Sequence, residues 1–146
     1  NHFLFLFKKY VKKDDYLINL GDLGMAAPAK LLDFYKQIEA IQIFVTGNHD
    51  SNGLINKFLT EFPVIFKDKT VIEVKYNSKL YIIYASHKPD AFEYIDDPNT
   101  LFLYGHLHER EIENKKWNQL NVGIDRFGRP ISLKEIIKIM KNENNS

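Results

Sequence analysis

Four short segments of this chain combine glycine or serine with residue types that bind metals or transfer protons. They are Gly21-Asp22, Gly47-Asn48-His49-Asp50, Ser86-His87 and Gly105-His106-Leu107-His108. Imidazole, carboxylate and amide groups offer nitrogen and oxygen ligands to divalent transition metals, and a histidine can exchange protons near neutral pH. Four of the chain's 5 histidines lie in these segments, and the fifth is His2. A lone histidine is more often structural, but this concentration predicts one metal-dependent site.

Three of these residue types have specific uses at a metal centre. The Asp22 carboxylate has two oxygens and could bridge two cations, although Gly-Asp alone is more often a turn or a helix cap. Asn48 offers a neutral amide oxygen as a ligand. In an extended segment, His106 and His108 would point to the same side and could grip adjacent metal ions. A lone His-x-His is also common in polar turns at strand ends.

The Asn-His-Asp sequence suggests a proton donor beside the metals. His49 would face away from the metals and donate a proton to a leaving oxygen. Asp50 would accept a hydrogen bond from His49, which would fix its tautomer and raise its basicity. The competing interpretation is a turn that caps a helix starting near Ser51.

The four segments follow apolar runs of strand length, so strand ends must position them. Strands are predicted at residues 16–20, 42–46, 70–76, 80–85, 100–104 and 116–122, with a hairpin at Asn77-Ser78. Helices are predicted at residues 3–12, 28–40 and 54–62. A capping box over Ser132 to Glu135 opens a last helix to about Met140, and residues 141–146 read as a frayed polar tail.

This order predicts a mixed α/β fold: a four-layer α-β-β-α sandwich of two packed sheets with helices outside. Sites in α/β sheets form beyond the carboxyl ends of strands, so the four segments could converge on one site. The 146 residues suit a single domain.

Composition excludes several classes of protein. There are no cysteines, which excludes disulfides, cysteine–zinc sites and phosphatases with a cysteine nucleophile. The missing cysteines also hint at a reducing compartment, and we expect a cytoplasmic protein. The net charge is +1 and no basic stripe is present, so neither a membrane nor specific nucleic-acid binding is expected. The apolar run from Phe3 to Phe7 ends at Lys8, too early for a membrane span.

In order and spacing, the four segments resemble the calcineurin-like metallophosphoesterase family across roughly residues 1–122. Residues 121–125 and 129–133 also resemble the closing segment of its small bacterial and phage members. The resemblance implies that Asp22 bridges two metals and that His108 binds the second metal. It implies that the first metal is completed by Asn48, His87 and His106. His49 would be the catalytic acid, with Asp50 behind it.

The resemblance also implies an activity, which is hydrolysis of phosphomono- or phosphodiesters by a hydroxide that bridges two metals. The expected cofactors are two divalent ions, foremost Mn²⁺, with Fe, Zn²⁺, Ni²⁺ or Co²⁺ as alternatives. The substrate would be a phosphorylated small molecule or a phosphodiester. Lys88, Arg110 and Arg126 lie near the motifs and could touch a substrate phosphate, although each is more often a solvated surface charge.

One motif of the family is missing. The family opens with Asp-x-His at the end of its first strand, and residues 1–146 contain no such motif. The favoured interpretation is that Asn1 closes an Asp-x-His-Gly-Asn variant whose ligands lie upstream, so that the domain as given lacks its first strand. Alternatively, His2 is that histidine. A third interpretation is a catalytically inactive scaffold, like the retromer subunit with this fold.

Overall fold

A computed structural model describes residues 2–24, 26–62 and 65–144. The helices are α1 (His2–Tyr10), α2 (Pro28–Lys36), α3 (Asn52–Glu61), α4 (Ile124–Phe127) and α5 (Leu133–Asn144). The strands are β1 (Tyr16–Asn19), β2 (Ile41–Val45), β3 (Ile65–Lys67), β4 (Lys69–Tyr76), β5 (Lys79–Ser86), β6 (Thr100–Tyr104) and β7 (Gln119–Asn121). Among these elements, no helix is long and apolar enough to cross a membrane.

Two sheets organise the chain. The first has the order β1-β2-β3 and is parallel throughout. The second has the order β4-β5-β6-β7, in which β4 and β5 form an antiparallel hairpin and β5, β6 and β7 run parallel. This arrangement confirms the predicted mixed α/β class with two sheets and helices.

Aromatic side chains form the core between the first sheet and helices α1, α2 and α3. Phe44 in β2 is fully buried. Its ring lies 5.2 Å from that of Tyr35, 5.3 Å from that of Phe58 and 5.4 Å from that of Phe66, measured between centroids. Such pairs add edge-to-face and stacking attraction to the burial of apolar area. This core therefore anchors the first sheet close to the carboxyl ends of its strands.

Helix α5 covers the second sheet. Its residues Ile136, Ile137 and Met140 join the core formed with β5, β6 and β7. The predicted capping box is present, because Ser132 Oγ accepts from Glu135 N at 3.2 Å and Glu135 Oε1 accepts from Ser132 N at 3.3 Å.

The last turn of α5 corrects the predicted frayed tail. The helix continues to Asn144 instead of ending at Met140. An ion pair of 2.6 Å joins Glu143 to Lys115 and holds this turn against the loop before β7. Residues 145–146 lie outside the described residues.

Other boundaries differ because of contacts that are distant in sequence. Helix α2 ends at Lys36 instead of residue 40. The Gln42 side chain donates to the carbonyls of Tyr35 at 2.8 Å and Ile38 at 3.0 Å, so a residue of β2 satisfies groups that a longer helix would use. Strand β3 and helix α4 were not predicted, since both are too short to show a period. Strand β7 is shorter than the predicted 116–122.

The predicted hairpin at Asn77-Ser78 is confirmed. Both residues adopt left-handed conformations, with φ of 50° and 65°. Two positive φ angles are what a two-residue type I′ turn requires, and they match the twist of the strands it joins.

We predict that Phe44→Ala lowers the free energy of unfolding by about 3–5 kcal/mol, because it leaves a cavity among rings that cannot collapse onto it. Leu59→Ala on α3 is the control, since Leu59 is half exposed. Urea unfolding followed by circular dichroism measures both. Equal losses for the two variants would contradict the assignment of Phe44 to the core.

Candidate metal centre

The first two motif segments touch through their glycines. Gly21 and Gly47 follow the neighbouring parallel strands β1 and β2. A Cβ built on Gly47 would lie 2.3 Å from both the backbone nitrogen and Oδ1 of Asp22. One built on Gly21, whose φ is +99°, would lie 2.6 Å from the Cα of Gly47. Both positions therefore require glycine, because a side chain at Gly47 would meet Asp22 and one at Gly21 would meet the Gly47 backbone and the His87 ring.

The Asp50 carboxylate ties these two segments together. It accepts from the backbone N–H of Asp22 at 2.9 Å, of Leu23 at 2.9 Å and of Gly47 at 2.8 Å. In return, Asp22 Oδ1 accepts from the N–H of His49 at 2.8 Å. Hydrogen bonds to an ionised carboxylate are among the stronger ones in proteins. They fix the position of Asp22 relative to Asn48 and His49.

This arrangement bears on the role predicted for Asp50. A hydrogen bond from the His49 ring to Asp50 is not among the contacts of the described residues. The three backbone bonds leave one acceptor site of the carboxylate, on Oδ1, available to that ring. Asp50 therefore orients the backbone around Asp22, and its role behind the His49 ring stays a prediction. Capping of α3 falls to Ser51, whose Oγ accepts from Leu54 N at 3.1 Å.

A second relay, which the sequence did not reveal, holds the segment from the other side. Asn19 Oδ1 accepts from Gly21 N at 3.1 Å, and Asn19 Nδ2 donates to the Tyr35 hydroxyl at 3.2 Å. That hydroxyl donates to the Leu23 carbonyl at 3.1 Å. Burial raises the pKa of Tyr35, so it remains a donor. The available signal was Asn19 itself, a polar residue in an otherwise apolar strand.

His87 lies at the centre of the candidate site and is only 5% exposed. Its Nδ1 lies 2.7 Å from the Leu20 carbonyl, which can only accept, so Nδ1 carries the proton. In the neutral ring, Nε2 then presents a lone pair. This atom lies 2.7 Å from Asn48 Oδ1 and 3.2 Å from Asp22 Oδ2. His87 directly follows strand β5, while the two oxygens come from beyond β1 and β2.

His106 completes this group from beyond β6. Its Nδ1 lies 3.0 Å from His87 Nε2 and 3.1 Å from Asn48 Oδ1. Burial, followed by the nearby His87, lowers the pKa of His106, which favours the neutral ring with a lone pair. The ligand atoms of Asp22, His87 and His106 all lie within 4.8 Å of one another.

These four side chains, Asp22, Asn48, His87 and His106, define what we call the donor cluster. A carboxylate oxygen, an amide oxygen and imidazole nitrogens are all electron-pair donors, and at about 3 Å they repel unless a proton or a cation lies between them. A nitrogen and oxygen set without sulfur suits divalent transition metals. The residues present therefore fit a divalent metal ion.

His108 is not part of the ligand group formed by Asp22, His87 and His106. Its Nδ1 contacts Asp125 Oδ2 at 2.9 Å, and both side chains are largely exposed. The prediction that His106 and His108 share one side of an extended segment is wrong. Both have positive φ, 68° and 55°, so the backbone coils and the two rings contact different partners. His49 is exposed.

The fold and this cluster define a mixed α/β protein with a candidate divalent-metal centre at the carboxyl ends of its strands. The family model of the calcineurin-like phosphoesterase superfamily domain matches residues 6–130, so the chain belongs to that superfamily. The superfamily is generally hydrolytic and binds divalent metals. A crystal structure of a protein of unknown function from Aquifex aeolicus shares the fold, with a TM-score of 0.63 and 20% identity. The match covers 94% of this chain and 83% of that one. No curated protein matches the chain.

We predict that Asp50→Asn destabilises the fold by roughly 1.5–3 kcal/mol and weakens binding of Mn²⁺ or Zn²⁺. The new NH₂ group must face at least one backbone N–H, which leaves that donor unpaired. Asp33→Asn, at an exposed position of α2, is the control. Urea unfolding and isothermal titration with the metal measure the two effects. Wild-type metal affinity in Asp50→Asn would show that the carboxylate does not set the position of Asp22.

Proposed function

We propose that this chain is the core of a metal-dependent phosphoesterase that hydrolyses phosphomono- or phosphodiesters. The observation that carries the proposal is the donor cluster, in which two oxygens and two nitrogens from four separate segments converge. Such convergence is costly unless a cation neutralises it. Membership of the phosphoesterase superfamily supports phosphate esters as substrates.

Each side chain of the site has a proposed role. Asp22, Asn48, His87 and His106 would hold one divalent metal, and Asp22 would bridge to a second metal bound by His108. Two such ions, with Mn²⁺ foremost, would polarise the phosphoryl group and activate water for attack. Asp50 and Asn19 keep the ligand backbone in place before substrate binds, so little ordering is left for the reaction.

His49 is the proposed general acid. Its backbone N–H is fixed to Asp22 Oδ1 at 2.8 Å, so its ring begins next to the donor cluster while remaining exposed. From there it would donate a proton to the leaving oxygen. Asp50 would then stand behind the His49 ring and fix its tautomer.

The second metal needs more ligands than His108 and Asp22 supply, and we propose that they lie upstream of Asn1. Within the described residues, β1 pairs with β2 alone, so its other edge is open. A cleft of about 910 Å³ borders that edge. Its lining is apolar at Leu17, Ile18 and Leu103, and it also includes Asp22, His87 and His106 of the donor cluster. An apolar strand parallel to β1 would fill this cleft and end beside Asp22. Asn1, which we placed in the closing part of that motif, lies outside the described residues.

A scaffold without activity is the second candidate. The observation that favours it is the incomplete second metal site, since His108 contacts Asp125 and is not part of the ligand group formed by Asp22, His87 and His106. On this interpretation, one metal or none would bind, and the chain would act through a surface.

Activity provides one test. With the encoded upstream residues included and Mn²⁺ added, the protein should hydrolyse an aryl phosphodiester or monoester. His106→Ala and Asn48→Ala should each lower kcat/KM roughly 100-fold or more, because both remove a proposed ligand. Asn56→Ala, on the exposed face of α3, is the control and should leave kcat/KM unchanged. A protein inactive with every divalent metal, or an unaffected His106→Ala variant, would sink the phosphoesterase proposal.

Metal stoichiometry separates the two candidates. We expect residues 1–146 to bind one Mn²⁺ tightly, and the chain extended upstream to bind two, as measured by metal analysis after dialysis. His2→Ala in the extended chain should leave the count at two; a drop to one would assign His2 to the second metal instead. A single ion in the extended chain would favour the scaffold.

A further inference from the structure

We propose that Asn121 and Asp125 are positioning residues that hold His108 at its backbone and at its ring. The inference deepens the proposed function, because it concerns the residue proposed to bind the second metal. Asn121 is the last residue of β7, and Asp125 lies in the first turn of α4. Together they explain how an exposed histidine in a left-handed conformation keeps one orientation.

Asn121 holds the loop between β6 and β7, which carries His106 and His108 and which we call the histidine loop. It is fully buried. Its Nδ2 donates to the carbonyl of His108 at 2.8 Å and to that of Arg110 at 2.7 Å. Its Oδ1 accepts from Gly123 N at 2.9 Å. Each polar atom of this amide is therefore used, and two of its three bonds bend the histidine loop back onto β7.

Glu111 reinforces this attachment from within the loop. Its Oε2 accepts from Asn121 N at 2.9 Å, and its Oε1 accepts from Ile112 N at 3.0 Å and from the Tyr104 hydroxyl. Burial and the neighbouring carboxylate raise the pKa of Tyr104, which keeps this hydroxyl a donor. One network of hydrogen bonds thus joins the histidine loop to β6 and β7, and the buried polar groups in it are hydrogen-bonded.

The histidine loop needs such support because its backbone is strained. A left-handed conformation is unfavourable for a residue that carries a Cβ, and His106 and His108 both adopt it. The bond from Asn121 to the His108 carbonyl fixes the peptide that follows the second strained residue. Without this bond, the loop could relax to an extended conformation and carry the His108 ring away.

Asp125 fixes the ring itself. Its Oδ2 lies 2.9 Å from His108 Nδ1, and a carboxylate can only accept, so Nδ1 carries the proton. The neutral ring then presents its Nε2 lone pair on the opposite side. A carboxylate behind a metal-binding histidine selects the tautomer in this way and strengthens the ligand. Gly123, which donates its backbone N–H to Asn121 Oδ1, lies between the two positioning residues along the chain.

The ring tautomer can be measured directly. Long-range ¹H–¹⁵N correlation spectra of the metal-free protein should show His108 protonated on Nδ1. Asp125→Ala should shift the ring toward Nε2 protonation, whereas Asp125→Asn keeps an acceptor and should retain most of the Nδ1 form. Asp125 is exposed, so both variants should fold. An unchanged His108 tautomer in Asp125→Ala would overturn the role of Asp125.

Asn118 offers a matched control for Asn121. It is also fully buried, and its Nδ2 donates to two carbonyls, those of Ile95 at 3.2 Å and Thr100 at 2.9 Å, away from the histidine loop. Asn121→Ser and Asn118→Ser should both lower the thermal midpoint. Only Asn121→Ser should move the ring signals of His106 and His108 and weaken Mn²⁺ binding in the extended chain about 10–100-fold.

The outcomes separate this inference from the proposed function. Equal effects of the two serine variants on the histidine signals would overturn the role of Asn121. Shifts confined to Asn121→Ser and Asp125→Ala support positioning even in a protein that turns over no phosphate ester. In that case the phosphoesterase proposal fails and the positioning role of the two residues stands.

Discussion

The site depends first on one carboxylate that accepts three backbone N–H groups. Asp50 takes the amides of Asp22, Leu23 and Gly47 at 2.8–2.9 Å, and so joins the loops that follow β1 and β2. Each amide would otherwise lie partly buried without a partner. The contact also demands glycine at position 47, because any side chain would meet Asp22. The geometry of the candidate metal centre on this side is therefore a consequence of backbone hydrogen bonding.

Electrostatics then gives the donor cluster its chemistry. The Leu20 carbonyl fixes the proton of His87 on Nδ1, which turns a lone pair toward Asn48 and Asp22. Bringing these atoms together costs free energy. Burial of apolar side chains offsets it in two cores, the aromatic one around Phe44 and the aliphatic one beneath α5. A bound cation would convert the repulsion into attraction, so fold stability and metal affinity should be coupled.

The sequence predicted the fold class and the residues of the donor cluster, since strand ends and ligand types are both local patterns. It did not predict which atoms meet. Two of the three backbone hydrogen bonds of Asp50 span 27 and 28 residues. The two hydrogen bonds of the Tyr35 hydroxyl span 16 and 12 residues. Likewise, nothing local marks His106 and His108 as left-handed, so they were expected to be extended. Long-range polar contacts decided each of these points.

Residues with a strained backbone at the site lie in loops whose backbone is hydrogen-bonded by a polar side chain. Asp22, His106 and His108 all have positive φ. They lie in two loops, and in each loop a polar side chain from another segment binds a backbone group. Asp50 binds the amide of Asp22, while Asn121 binds the carbonyl of His108. Strained residues persist only where the surroundings over-determine them, and such positions concentrate at functional sites. The polar network thus orders the candidate ligands during folding, which would leave less conformational entropy to be lost on binding of a metal.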